Sequence, residues 1–318
     1  MTAPAFPAHV PLAVQTRGEI VESVHFGSLA AVDADGATLF SLGDPKARIY
    51  PRSALKPLMA VAMVKAGLSI PAEQLALAAA SHSGSAEHQR VAAQTLADAG
   101  LDAGALRNST DLPYGTVERQ DWLAAGHGAT RLAQNCSGKH AAMLATCVLN
   151  GWPLESYLSA DHPLPRLVRA VVAELTGEAI TTVSTDGCGT EVFDLSLTGM
   201  ATAFSRLVTA APGTAEYDVA AAMRAHPTLV AGLGRDVTAL MEAVPGLLAK
   251  DGFEGIQMIA LDDGRAVALK ISDGGDRARM PAAAPALLRL GVAPDAVAPF
   301  TNLEVVGGGH PVGLLFGL

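Results

Sequence analysis

The sequence predicts an α/β protein of the α+β kind, in which strands from both ends of the chain form one antiparallel sheet and a largely helical region is inserted between them. Three observations predict this layout. Short β-compatible runs with a hairpin signal fill the opening stretch, helix-like runs fill the middle, and alternating strand-like runs return near the end. The sheet should draw on about 1–56 and 250–318, and the helical part on about 57–249. No internal repeat, low-complexity linker or shift of composition marks a boundary, so one domain over 1–318 is expected.

The elements follow in order. Ile20 to His25, Ser28 to Asp33 and Ala37 to Leu42 are β-compatible, with Ala34-Asp35-Gly36 as a hairpin turn between the last two. Helices are expected over Ala72 to Ala80, Ala86 to Ala99, Lys139 to Leu149, Pro163 to Leu175, Leu197 to Thr209 and Tyr217 to Ala225. Most are bounded by Gly, Pro, Ser or Asp. Gly255 to Leu261 and Ala266 to Ser272 are strands joined by the turn Asp262-Asp263-Gly264-Arg265. Two helical segments come next, and Glu304 to Val306 with Val312 to Phe316 close the sheet.

Composition narrows the function classes. The chain has 318 residues, half of them hydrophobic and only 4% aromatic, enough for a sizeable core. A net charge of −9 and the lack of any Lys/Arg-rich run argue against a nucleic-acid partner. Three cysteines are too few, and odd in number, for a disulfide framework, which suits a reducing compartment. Met1-Thr2-Ala3-Pro4-Ala5-Phe6-Pro7 has neither a basic n-region nor an apolar h-region, and no apolar stretch reaches membrane-spanning length. A cytoplasmic protein that does not enter membranes is expected.

The most informative stretch is Arg52-Ser53-Ala54-Leu55-Lys56-Pro57, which opens the apolar run Leu58 to Val64. A helix apolar all round is buried on every face, so Ser53 and Lys56 should stand at the mouth of a buried helix. A serine needs a base within hydrogen-bond reach, and a lysine in apolar surroundings can be that base because desolvation disfavours its ammonium form. Ser-x-x-Lys is the spacing used by serine acyl-transferring enzymes of the penicillin-binding and β-lactamase type. Pro57 disfavours α geometry at Lys56, so the motif should occupy an irregular first turn. The plainer alternative makes Ser53 a helix cap and Lys56 a solvated side chain.

Three further polar stretches interrupt the apolar chain. Ser81-His82-Ser83-Gly84-Ser85 offers a second hydroxyl nucleophile, oxyanion donors or, more simply, a capping turn around Ser85. Asn135-Cys136-Ser137-Gly138-Lys139-His140 opens a helix, whose N-terminus should lower the pKa of the Cys136 thiol. Asp186-Gly187-Cys188-Gly189 is a turn expected to leave Cys188 accessible. Two such cysteines could hold zinc with further ligands, and spacing nominates His140 as the third. Cys147 sits on an apolar helix face and should be core. Lys270, inside the apolar strand Ala268 to Ser272, either faces a polar site or points to solvent.

At this point the chain resembles the rhizobial-type (class 3) L-asparaginases, the asparaginase II family. The resemblance rests on Arg52 to Pro57, Ala80-Ser81-His82-Ser83, Asn135 to His140, Thr185-Asp186-Gly187-Cys188 and Lys270-Ile271-Ser272-Asp273-Gly274, in family order across most of the chain. It implies a single catalytic domain with a serine β-lactamase/glutaminase-like fold, and hydrolysis of L-asparagine to L-aspartate and ammonia. It implies two neighbouring serine–lysine pairs, Ser53 with Lys56 and Ser81 with Lys270, working through an acyl-enzyme. It also implies Zn2+ on Cys136, Lys139 and Cys188, with Asp186 and Arg52 nearby, and a homodimer. A lysine ligand must lose its proton to bind, so Lys139 rests on the resemblance alone.

Arg52, Ser83, Asp186 and His140 are the substrate-binding candidates. Two departures bear on the substrate: Gly189-Thr190-Glu191-Val192 stands where an apolar–proline step is expected, and Gly84-Ser85 lacks the acidic residue often found there. A glutaminase or other small-amide hydrolase, and a non-catalytic zinc-dependent amino-acid receptor, are the alternatives. No Lys-Thr-Gly occurs on the late strand, which argues against a penicillin-recognising enzyme. Which serine attacks stays open at this level.

Overall fold

The computed structural model describes residues 6–318; Met1–Ala5, part of the stretch read as lacking a leader, lies outside the described residues. The first strands are β1 (Val10–Arg17), β2 (Ile20–Val32) and β3 (Thr38–Leu42). The helical region holds α1 (Lys56–Lys65), α2 (Ala72–Ala78), α3 (Ala86–Asp98), α4 (Thr116–Ala124), α5 (Ser137–Asn150) and α6 (Pro163–Thr176). A small hairpin, β4 (Val183–Thr185) and β5 (Glu191–Phe193), precedes α7 (Leu197–Thr209), α8 (Ala215–Ala225), α9 (Pro227–Val230) and α10 (Asp236–Ala243). Then come β6 (Leu248–Gly252), β7 (Ile256–Ala260) and β8 (Ala266–Ile271), α11 (Arg279–Arg289), α12 (Pro294–Thr301), β9 (Asn302–Gly307) and β10 (His310–Gly317).

The main sheet has eight strands in the order β6-β7-β8-β2-β1-β10-β9, with β3 also pairing with β2. Its pairings are antiparallel and draw on both ends of the chain, as the sequence predicts. The fold is mixed α/β, with α7 and α11 packed on the sheet. No helix among the described residues is long and apolar enough to cross a membrane.

Three differences from the sequence reading have physical causes. Ile20 to Asp33 is one long strand rather than two, because Gly27 is no break: a Cβ there would lie 2.2 Å from the Lys270 carbonyl of β8. The glycine marks close strand approach. β1 was missing from the expectation, since Val10-Pro11-Leu12-Ala13 reads as loop through its proline. So was β6, since Lys250-Asp251-Gly252 looks like a turn yet every residue of Leu248–Gly252 is buried.

The turn at Ser53 is irregular, as predicted, but Pro57 does not keep Lys56 out of α geometry: Lys56 has φ −59° and ψ −38° and begins α1, because a proline in the first turn gives up no hydrogen bond of the helix. A tight 3₁₀ turn over Arg52–Leu55, closed by the Ala54 N–H on the Pro51 carbonyl at 3.1 Å, passes into α1, where proline occupies the first turn. Lys56 to Met63 are all buried, and Leu58, Val61 and Met63 have no exposure at all. Burial of each such side chain contributes about 1.5–3 kcal/mol, enough to hold a short helix with little propensity of its own.

Candidate active site

The Ser53 turn is strained and braced. Arg52 has φ +52°, the left-handed region that a non-glycine residue rarely enters without compensation. Its guanidinium pairs with the Asp186 carboxylate, Nε–Oδ1 at 2.8 Å, and lies over the Phe253 ring, 5.4 Å from its centroid. β6 runs hard against the same turn, for a Cβ on Gly252 would lie 2.4 Å from the Pro51 carbonyl. Ser53 is partly exposed at this corner, whereas Lys56 one turn on is 1% exposed.

Lys56 points to Ser81. Its Nζ donates to the Ala80 carbonyl at 2.6 Å, to Ser81 Oγ at 3.0 Å and, more weakly, to the Asn135 carbonyl at 3.5 Å. Ser53 is not among its hydrogen-bond partners within the described residues. The loop Ser81-His82-Ser83 is held extended, with Ser81 N–H on Val230 O, His82 N–H on Asn135 O and Ser83 N–H on Ala231 O. Ser85 closes the segment as the cap of α3, in a capping box with His88, as its position suggested.

The second lysine on Ser81 is Lys250, not Lys270. Lys250 Nζ donates to Ser81 Oγ at 2.9 Å and to Asp251 Oδ1 at 2.5 Å, with no exposure. Lys270 is not brought to either serine: its ammonium donates to the carbonyls of Glu254 at 2.6 Å and Ile271 at 2.9 Å. There it braces the β6–β7 turn, where Glu254 has φ +72°. The reason is register. Lys270 lies opposite Ser28 and Ile256, at the end of β8 where the sheet meets that turn, while Lys250 enters the interior from β6, the edge strand beyond β7.

Burial pushes the Lys250 pKa down, Asp251 pulls it back up and the positive Lys56 lowers it again, leaving it at about 8. Burial would raise the Asp251 carboxyl, but Lys250, Arg235 and Arg279 more than offset that and hold it below the usual carboxylate range. Arg235 Nη2 donates to Asp251 Oδ2 at 2.8 Å and its guanidinium lies 4.8 Å from the Tyr114 ring centroid. Lys250, Asp251, Arg235 and Tyr114 all escaped the sequence reading. Only a lysine and an aspartate set directly after Leu247-Leu248-Ala249 could have flagged the first two.

A second cluster adjoins the first through Asn135, whose carbonyl meets Lys56 and whose Oδ1 accepts from Cys136 Sγ at 3.1 Å. Lys139 Nζ donates to Cys188 Sγ at 3.0 Å and to Thr190 Oγ1 at 2.8 Å. Cys188 is buried, 2% exposed, where its glycine-flanked turn had suggested access: the β4–β5 hairpin folds the turn inward. The Cys136 thiol is raised, not lowered, because the neighbouring Cys188 sulfur and burial disfavour its thiolate; those effects outweigh the helix end. Cys188 is correspondingly held low by Cys136 and, against burial, by Lys139. Cys147 is buried and its thiol is pushed up to about 12, as a core cysteine should be.

His140 Nδ1 lies 2.7 Å from Tyr157 Oη, and its Nε2 is buried without a hydrogen-bond partner, although Cys188 is near enough to pull its pKa up. Burial and Lys139 bring that imidazole down to about 4, so it is neutral at ordinary pH. Among the described residues no three thiol, imidazole or carboxylate groups gather in metal-binding geometry. A cation here would therefore need the Lys139 amine as a ligand. Two thiols, an amine and an unpartnered imidazole nitrogen form a donor set of the kind a borderline-soft divalent ion takes, once Lys139, held here as an ammonium on Cys188 and Thr190, gives up its proton.

The arrangement thus joins a buried serine with two lysines to a thiol–amine–imidazole cluster. The family model described as L-asparaginase II matches residues 13–316, nearly the whole chain. The chain belongs to the L-asparaginase II family, and so to the amidohydrolases. Among curated proteins none matches. Among solved structures it is similar to a β-lactamase from Mycobacterium bovis, at 16% identity and a TM-score of 0.44, over 79% of this chain and 88% of that one. It is also similar to EstCE1, described as a hydrolase with promiscuous acyltransferase activity, at 15% identity and a TM-score of 0.44, over 85% and 93%. Both likenesses are too distant to bear on activity.

Proposed function

We propose that this protein hydrolyses L-asparagine to L-aspartate and ammonia through an acyl-enzyme on Ser81. The observation that carries the reading is the contact of Lys250 Nζ with Ser81 Oγ at 2.9 Å, by a lysine whose pKa is lowered to about 8. A neutral Lys250 takes the Ser81 proton as Oγ bonds to the side-chain amide carbon. The tetrahedral intermediate then collapses, the C–N bond breaks, and the proton passes to the departing nitrogen, which leaves as ammonia. Water hydrolyses the ester by the same steps in reverse order. Lys56 donates to Ser81 from the other side and orients its hydroxyl.

Ser53 supports a second reading. It stands partly exposed on the strained Arg52 turn, more open to a substrate than Ser81, which is 4% exposed. In that reading Ser53 takes the acyl group and Ser81 relays the proton to the lysines. Zinc on Cys136, Lys139 and Cys188 would supply a positive centre that orients the substrate, with His140 beside it.

Ammonia release from L-asparagine and L-glutamine, measured in parallel on the wild type, Ser53→Ala and Ser81→Ala, tests the reading. Asparagine-selective release that disappears in Ser81→Ala supports it. A covalent adduct trapped on Ser53 in Ser81→Ala would favour the second reading. No release from either amide by the wild type with zinc present would remove the hydrolase assignment for these substrates and bring forward an amino-acid receptor.

A further inference from the structure

Resting on that reading, the geometry points to Arg235, with Ser83 beside it, as the subsite that grips the substrate's α-carboxylate. The argument begins with an imbalance. Arg235 spends one nitrogen on Asp251, while its Nη1 is buried with no hydrogen-bond partner among the described residues. A buried guanidinium N–H without an acceptor is costly, and a carboxylate is the acceptor its planar fork fits best. The Ser83 hydroxyl is likewise buried and unpartnered, at 1% exposure.

The two groups are neighbours. Gly232 has φ +144°, and a Cβ on it would lie 2.2 Å from Ser83 Oγ and 3.6 Å from Arg235 Cγ. Only glycine fits between them. Tyr114 supports the guanidinium from its ring face, so the fork is pre-set.

Position agrees with this. Arg235 reaches Ser81 in three contacts, 2.8 Å to Asp251, 2.5 Å from Asp251 to Lys250 and 2.9 Å from Lys250 to Ser81 Oγ. Lys250, Arg235 and Arg279 gather around Asp251, and Asp236 is already engaged by Arg279 at 2.6 Å. Asp276 is half-exposed. Glu118 stands on the Ser83 side, for a Cβ on Gly115 would lie 2.0 Å from its Oε2 and 2.8 Å from Ser83 Cβ, so the Arg235 fork is the group that takes the anion. A free planar N–H fork selects an amide that carries a carboxylate over a simple neutral or cationic amide.

Equilibrium binding to Ser81→Ala, which keeps the ligands intact, tests the assignment with three probes. L-Asparagine has amine and carboxylate, succinamate has the carboxylate alone, and 3-aminopropanamide has the amine alone. The expected result is that Ser81→Ala binds the two carboxylates at least about tenfold more tightly than 3-aminopropanamide. Adding Arg235→Gln should weaken both carboxylates by about 10–100-fold and leave 3-aminopropanamide within about threefold. Arg235→Lys, which keeps the charge facing Asp251 but loses the fork, should give a smaller loss of the same pattern and serves if the glutamine variant does not fold.

An equal loss for all three probes would make Arg235 a brace for Asp251 and overturn the proposal. So would the absence of carboxylate preference in Ser81→Ala itself, before Arg235 is touched. Failure of the asparaginase reading shows differently, as carboxylate-dependent binding with no ammonia released by the wild type.

Discussion

Lys250 stands where burial and a carboxylate pull in opposite directions, and its behaviour is the sharpest residue-scale expectation. With a pKa of about 8, roughly one Lys250 in ten is neutral at pH 7. A folded pKa below the free-lysine value means the neutral base accumulates as pH rises toward and past 8. The kcat/KM for amide hydrolysis should therefore climb close to tenfold per pH unit below pH 8 and level off above it; a flat profile from pH 6 to 9 would remove Lys250 as the base. Lys250→Met should lose about 10²–10⁴-fold in kcat/KM, and Lys250→Arg should not rescue it because arginine keeps its proton. Lys270→Met should keep kcat within about tenfold of wild type and lower the melting temperature by a few degrees, since it loses only two hydrogen bonds of about 1 kcal/mol each. Loss of turnover with unchanged stability in that variant would return Lys270 to the chemistry.

At the scale of elements, the site depends on two strands pressing closely on their neighbours. β6 carries Lys250 and Asp251 and passes so near Pro51 that Gly252 has no room for a side chain. Gly252→Ala should push β6 off the Ser53 turn, cutting kcat far more than it lowers stability; kinetics alongside a urea melt would read both. Gly27→Ala in β2 meets the Lys270 carbonyl instead, away from the serines. It should cost about 1–3 kcal/mol of stability, as overpacking does, with kcat per folded molecule little changed. Equal effects of the two alanines on kcat would count against β6 as the strand that aims the base.

At the scale of the whole molecule, the sheet, the helical region and the β4–β5 hairpin each contribute to one site. Ser81 follows α2, Lys250 comes from the sheet edge, and Cys188 comes from the hairpin. Among the described residues the thiol–amine cluster meets the serine site through Asn135, the His82–Ser137 contact and the Arg52–Asp186 pair. Chelation should accordingly raise KM more than it lowers kcat. Loss of kcat at constant KM after dialysis against a chelator would contradict that layout.

Much of this was legible in the chain. The apolar run from Leu58 to Val64 could only be a buried helix, Pro57 required an irregular turn before it, and strand-like runs at both ends required one sheet. The polar stretches at Ser53, Ser81, Cys136 and Cys188 stood out because an apolar chain has little reason to keep them together. What the sequence could not settle was pairing across the sheet. Lys250 and Lys270 both follow apolar runs, and the sequence singled out Lys270, inside its strand, while Lys250 read as an ordinary charge near a turn. Only the register of β6 against β7 and β8 sends one ammonium into the interior beside Ser81 and the other to two turn carbonyls. The same holds for the thiols: helix position spoke for Cys136, but its approach to Cys188 and the Lys139 ammonium hold the Cys188 thiol low, against burial. Local pattern determined the elements, because periodicity and proline act within a few residues. Tertiary contact decided the chemistry, because a pKa and a hydrogen bond depend on groups that the chain brings together from far apart.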